Sequence, residues 1–430
     1  LTGYDANPLF VTLCVLLLGY AAVLVLQRDS RIGVLLVISM FLTRYTVDVF
    51  GFSVRLEMFA ATLAGVGLFL RQDARHRLSS AAVVSIAAVA LWLVSGSFAS
   101  VVSSPELNKS LGVLIWCALS FIGAIWVSTH RGEWHRMLSV GVWCAFTASA
   151  LAVVAWTLAT LGVSTLGVQD DPTYGGWAAY VASIEANVLA GLLCLWAIIA
   201  AWNPGDWIRR LPRLLTVLLA PVAILTTHTR AALVALLLGL FLVFLFRKSS
   251  RPLVVGAGLL GVAATVGLAV RSPDAGFSKF SSLLDTSSGT GGLRRQINQI
   301  ALNEWLASDA RVQGLGWNSF GQRHLDPTQP FKNLPSYIGN LPLQVLYDGG
   351  LLAAASVCVA LVAVLSIQLR ARNLGLVVAL ALPYFLFSIA TSVLWLFETW
   401  FWIGIAWGAT SWLVPKRGPS RPLEGALKRA

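Results

Sequence analysis

The sequence predicts an all-α polytopic membrane protein with about 12–13 transmembrane helices and one long extracytoplasmic loop carrying an amphipathic helix. Three observations predict it. Hydrophobic residues make up 57% of the chain and charged residues 12%, a balance outside the range of soluble globular domains. Apolar stretches long enough to cross a bilayer recur from Pro8 to Pro415. The breaks between them alternate, one rich in Lys or Arg and the next mostly poor in both.

Spans fall at about 8–26, 32–50, 54–70, 80–98, 109–128, 138–161, 182–202, 212–229, 231–247, 253–270, 342–368, 375–395 and 398–414. The basic breaks are Arg28–Arg31, Arg71–Arg77, His130–Arg136, Arg209–Arg213, Arg247–Arg251, Arg370–Arg372 and Lys416–Arg421. Lys and Arg concentrate on the cytoplasmic side of membrane proteins, so these breaks face the cytoplasm. The N-terminus then lies outside and the tail inside. Leu1–Pro8 lacks a basic stretch, so the first helix is expected to act as its own insertion signal. The second span is interrupted by Arg44 and Asp48, which must face a cavity or a partner unless the segment bends back. The chain divides into ten spans over 1–270, an external loop over 271–341, the C-terminal spans over 342–414 and a basic tail over 415–430.

The net charge of +12 does not signal nucleic acid, because the basic residues sit at helix ends, where lipid headgroups meet them. Several of the 17 Trp, among them Trp177, Trp202, Trp207 and Trp412, fall near span ends, as an amphipathic indole prefers. Cys14, Cys117, Cys144, Cys194 and Cys358 all lie inside apolar segments and read as buried hydrophobes.

The external loop has its own pattern. Ser287 to Gly292 is a flexible break. From Leu293 the spacing is helical, with Leu293, Ile297, Ile300, Ala301 and Trp305 on one face and Arg295, Gln296, Gln299 and Asn303 opposite. A turn over Gly314–Phe320 ends this helix, and Pro327, Pro330 and Pro335 keep the next stretch extended.

Four polar features gather at the outer face. Thr227-His228-Thr229-Arg230 forms the turn between spans eight and nine, where an Arg is either an interfacial anchor or a phosphate clamp. Arg294 and Arg295 start the loop helix, as solvated surface or as an anion site with free backbone N–H groups. Asn340, Gln344 and Asp348 make a polar stripe into span eleven, for interhelical bonding or for sugar hydroxyls. Glu185 with Asn187, Arg55 with Glu57, and Arg44 with Asp48 complete the set as ion pairs, caps or binding groups. Other signals fail. Asp170-Asp171 is an acidic pair with no companion His or Glu, so it is expected to serve a turn before Pro172. Gly289–Gly292 lacks the Lys of a phosphate loop, and His76, His130 and His135 sit in basic breaks. No His/Cys cluster offers a metal site.

In their order these motifs resemble the O-antigen ligase and O-antigen polymerase superfamily. The resemblance rests most on Arg294, Ala301, Gly314, Gly316 and Phe320, then on Asn340-Leu-Pro-Leu343-Gln344 and Asp348-Gly-Gly350. Thr227-His-Thr229-Arg230 with Ala231 and Ala232, and Ala186-Asn187-Val-Leu-Ala190, match two further family motifs. The resemblance implies a GT-C-like membrane enzyme of the bacterial inner membrane with a periplasmic active face. Its activity would be metal-independent, inverting transfer of a polyprenyl-diphosphate-linked glycan to a glycan or lipid A-core acceptor. Arg230, Arg294 and Asp348 would be catalytic. Arg295, Asn340, Gln344, Asn187, Glu185, Arg55, Arg44 and His324 would bind substrate. No cofactor is implied, and the remaining partners are membrane lipids. A lipid-linked glycan transporter is the competing reading.

One position departs from the family. Where its ligases carry a His before the Asn, this chain has Gly339. His324, Asp348 and Glu185 are candidates to take over as base, and a loop this short also suits a polymerase.

Overall fold

The computed structural model describes residues 19, 22–23, 25–49, 52–70, 78–171, 176–271, 289–324, 338–371, 373–391 and 394–408. Most of the expected first span, the prolines of the loop and the basic tail lie outside these residues. The helices are α1 (Asp29–Met40), α2 (Leu56–Leu70), α3 (Ser80–Ser103), α4 (Leu107–Thr129), α5 (Trp134–Thr160), α6 (Ala186–Trp202) and α7 (Arg210–Thr226). They continue with α8 (Arg230–Phe246), α9 (Arg251–Arg271), α10 (Gly289–Ala307), α11 (Ser319–Arg323), α12 (Leu341–Arg370), α13 (Leu374–Ser388) and α14 (Phe397–Gly408). Two short antiparallel hairpins join them, β1 (Thr46–Val49) with β2 (Phe52–Arg55) and β3 (Val168–Asp170) with β4 (Trp177–Ala179).

The chain is an all-α polytopic membrane protein. Among the described residues, five helices are long and apolar enough to cross a membrane, and shorter apolar helices accompany them. The outer surfaces expose rows of large apolar side chains, such as Leu91, Val94, Phe98 and Val101 on α3 and Leu361, Val362 and Leu365 on α12. Apolar belts of this extent are what lipid covers.

Small residues let the helices approach closely. α3 and α12 run antiparallel, with Ser85 Oγ donating to the Ala360 carbonyl and Ser95 Oγ to the Gly349 carbonyl, each at 3.1 Å. α8 and α13 also run antiparallel, Gly239 lying against Pro383 and Gly375 against Phe246. α4 and α14 run parallel, Gly404 against Ala124 and Gly408 against Ser128. Aromatic rings fill the core. Trp92 stacks on Trp400 at 6.0 Å, and Trp196 meets Phe41, Phe401 and Trp402. The Trp residues therefore divide between the interface, where Trp177, Trp202 and Trp207 are half-buried, and the core.

Among the described residues, the basic breaks at Arg209–Arg213 and Arg247–Arg251 share one end of the bundle. Arg213 donates to the Ala200 and Ala201 carbonyls and to Ser250, joining α6, α7 and the start of α9. Arg247 pairs with Asp206 at 3.1 Å. The starts of α6, α8 and α12 lie at the opposite end.

Three expectations change. The span placed at 32–50 is not one helix. α1 stops at Met40, the chain turns, and the β1–β2 hairpin follows, because Arg44 and Asp48 cannot continue an apolar helix. The span placed at 342–368 is broken: Gly350 (φ 67, ψ −163) interrupts α12. The loop helix begins at Gly289, not at Leu293, and Ile300 is exposed although its spacing assigns it to the apolar face.

Candidate active site

The polar start of α12 builds the first part of the site. Asn340 caps the helix, its Oδ1 accepting from the Leu343 N–H at 3.1 Å. Gln344 Nε2 donates to Asp348 Oδ2 at 3.3 Å, one turn further on. Both side chains are buried, and Asp348 Oδ1 has no hydrogen-bond partner among the described residues. The helix then breaks at Gly350, and the loop before it fills the break. Leu315 N–H donates to the Tyr347 carbonyl at 2.8 Å and Gly316 N–H to the Asp348 carbonyl at 2.9 Å. In return Leu351 N–H donates to the Arg311 carbonyl at 3.0 Å and Leu352 N–H to the Val312 carbonyl at 3.1 Å. These four bonds take up backbone groups freed by the kink, as a buried break requires.

The same loop is anchored to the α3–α4 junction. Trp317 N–H donates to Ser100 Oγ at 2.8 Å, and Ser110 Oγ donates to the Trp317 carbonyl at 2.8 Å. Gln322 bridges Ser104, Ser110 and the Glu106 N–H. Glu304 on α10 accepts from Tyr347 OH at 2.8 Å and meets His324 Nε2 at 2.6 Å. His324 is therefore part of the clasp that holds α10 and α11 on α12.

The arginines come next. Arg294 is half-buried, and its Nη1 donates to the Ala390 carbonyl beyond the end of α13. Gly339 faces that carbonyl too, at 4.0 Å from the position a Cβ would take. Arg230 opens α8 and is half-buried. Because α8 and α13 are antiparallel, the start of α8 is level with the end of α13 and hence with Ala390. Thr229, which precedes Arg230, donates through Oγ1 to Asn187 Oδ1 at 3.0 Å, so the starts of α6 and α8 are joined. Three helix N-termini, of α6, α8 and α12, thus share one end of the bundle with two arginines. N-terminal N–H groups carry partial positive charge, and guanidinium groups add to it.

The remaining predicted residues scatter around this end. Glu185 is the residue before α6. Arg44 lies over the Tyr180 ring at 4.0 Å, and its backbone N–H bonds the Ala182 carbonyl, so the turn after α1 sits beside the approach to α6. Arg295 is exposed. Arg55 lies deeper. It pairs with Glu57 at 3.1 Å, both nearly inaccessible, and rests on Trp116 at 4.3 Å. Glu57 also accepts from the Phe397 N–H at 3.3 Å, which fastens the start of α14 to α2. Arg55 thus serves the packing of the core, where a buried guanidinium needs its carboxylate.

Two groups escaped the reading of the sequence. Glu398, buried on α14 within electrostatic reach of Glu57, hides in an aromatic run with no spacing to mark it. Asp171 does have a companion: His228 Nδ1 lies 3.2 Å from its Oδ2. Among the described residues no three His, Cys, Asp or Glu side chains gather as a metal site.

Fold and site together define a multi-pass membrane protein with two arginines and three helix N-termini at one end of the bundle. Residues 215–358 match the family described as O-antigen ligase, so this third of the chain is similar to that family. The matched stretch includes Arg230, Arg294, Asn340, Gln344 and Asp348 and leaves Asn187, Glu185, Arg55 and Arg44 outside. No curated protein and no solved structure matches the chain.

Proposed function

We propose that the protein is a metal-independent, inverting glycosyltransferase that moves a polyprenyl-diphosphate-linked glycan onto a sugar hydroxyl at the outer face of the cytoplasmic membrane. What supports this reading is that Arg230, Arg294 and the N-termini of α6, α8 and α12 lie at the same end of the bundle. Breaking the bond between the anomeric carbon and the diphosphate leaves negative charge on the departing oxygen. Fixed cations and N–H groups in a dry site stabilise that charge without reorganising. Asn340 and Gln344 position sugar hydroxyls, and Asp348 orients the bound groups. The donor's polyprenyl chain lies against the apolar helix surfaces. A transporter would use a helix break to line its path, whereas the break in α12 is filled by residues 311–316. The direct test incubates purified protein with a polyprenyl-diphosphate oligosaccharide, with and without a second lipid-linked glycan or a lipid A-core acceptor. A transferase yields a longer or transferred glycan with inverted anomeric configuration. Unchanged donor in every arm rejects the reading.

Two further results follow. Transfer survives chelation, because the arginines replace a divalent ion in neutralising the diphosphate. Loss of transfer in EDTA, restored by magnesium or manganese, would contradict the metal-independent mechanism. His324→Ala lowers the rate by less than about tenfold, below the usual effect of losing a general base. Its Nε2 is already engaged by Glu304. A thousandfold loss with intact folding and donor binding would assign His324 the role of base instead.

A further inference from the structure

We infer that His228, oriented by Asp171, is the base that takes the proton from the acceptor hydroxyl. This rests on the glycosyltransferase reading and fills the position left open by Gly339.

The dyad is built into the fold from two distant parts of the chain. His228 lies in the turn between α7 and α8, and Asp171 directly follows β3, 57 positions earlier. Their side chains are 8% and 13% exposed. An Asp carboxylate on Nδ1 fixes the imidazole tautomer: Nδ1 carries the hydrogen and donates it, and Nε2 keeps its lone pair. Among the described residues, none hydrogen-bonds Nε2. The backbone of His228 is left-handed at φ 55, a conformation that a non-glycine residue adopts only where its surroundings hold it. They do so on both sides. Thr227 Oγ1 donates to the Ile224 carbonyl at 2.7 Å, and Thr229 Oγ1 donates to Asn187 at 3.0 Å.

Its place suits the role. Two residues on is Arg230, the cation proposed for the leaving group. An imidazole at position 339 would face the Ala390 carbonyl and would require φ near +68. His228 reaches the same end of α13 from the α8 side, with its strain already held by Asn187 and Asp171. The step balances simply. The acceptor O–H proton passes to His228 Nε2 while the acceptor oxygen bonds the anomeric carbon. The bond from that carbon to the diphosphate oxygen breaks, and its electron pair leaves with the diphosphate beside Arg230 and Arg294. The imidazolium, stabilised by Asp171, then gives its proton to solvent or to the departing diphosphate.

A purely structural dyad would pin the β3–β4 hairpin to the turn and do nothing more. His228→Asn separates the two roles, because its amide can still donate to Asp171 but cannot act as a base. With a polyprenyl-diphosphate oligosaccharide as donor, we expect kcat to fall about 100- to 10,000-fold with the donor KM little changed. Added imidazole should restore part of the activity of His228→Ala. A fall under about tenfold, or no response of His228→Ala to imidazole, overturns the proposal. If His228→Asn does not fold, Asp171→Asn replaces it, and a kcat within about tenfold of wild type overturns the proposal equally. Wild-type protein that transfers nothing rejects the glycosyltransferase reading together with this one. Active wild type with an unaffected variant rejects this one alone.

Discussion

Arg294→Ala and Arg230→Ala are each expected to lower glycan transfer by at least about 100- to 1,000-fold, with yield and helix content unchanged. Arg294 is held by a backbone carbonyl, so its loss breaks no ion pair in the core. Arg230 begins a helix whose other end packs independently against Trp202 and α13, so α8 survives its removal. What disappears in each case is charge at the departing diphosphate, which is needed only as the bond breaks. Lys substitutions should recover little, because an ammonium cannot grip two phosphate oxygens in the plane of a guanidinium. The double variant should be scarcely worse than either single one if both arginines act on the same oxygens. Initial rates of donor consumption decide the matter. Either Ala variant keeping more than a tenth of wild-type kcat would remove that arginine from the mechanism.

Gly350→Ala is expected to be the most damaging small substitution in the bundle, costing about 3 kcal/mol or more in stability from strain and steric clash together. Its φ of 67 and ψ of −163 belong to a region that only glycine enters readily. A Cβ there would lie 2.5 Å from the Gly314 nitrogen and against the Val312 carbonyl oxygen. Both are backbone atoms of the loop that fills the helix break, so neither can move aside without undoing the other bonds. Leu351→Ala, one position later and half exposed toward lipid, is the control and should change little. Thermal unfolding in detergent compares the two. Equal melting temperatures for Gly350→Ala and wild type would refute this account of the break.

The sequence reveals features that depend on composition or on neighbours along one helix. Alternating basic breaks are visible because lipid and headgroup sort residues in blocks, and the two around Arg213 and Arg247 do share one end. The hydrogen bond between Thr229 and Asn187 was not legible, because 42 residues separate them and only the packing of α6 beside α8 joins them. Hydropathy could not show that α1 stops at Met40, since Val47 and Val49 look as apolar in a strand as in a helix. It could not show the break at Gly350 either, because a pair of glycines in an apolar run fixes no dihedral angle. The Asp171–His228 pair was missed for a different reason. Each residue looks bland in its own turn, and only the docking of β3–β4 beside the α7–α8 turn brings them together.

The filled break in α12 also bears on how the protein is made. Residues 311–316 leave the ribosome before the span they complete, so the partner of the break is made first. Until they close on it, Leu351 and Leu352 present bare N–H groups to hydrocarbon, which disfavours insertion. The loop is therefore expected to hold α12 in its broken form as well as to build the site. A chain with this loop excised would not be an inactive copy of the same shape. It would have to straighten α12 at Gly350, or leave the Leu351 and Leu352 N–H groups bare in hydrocarbon.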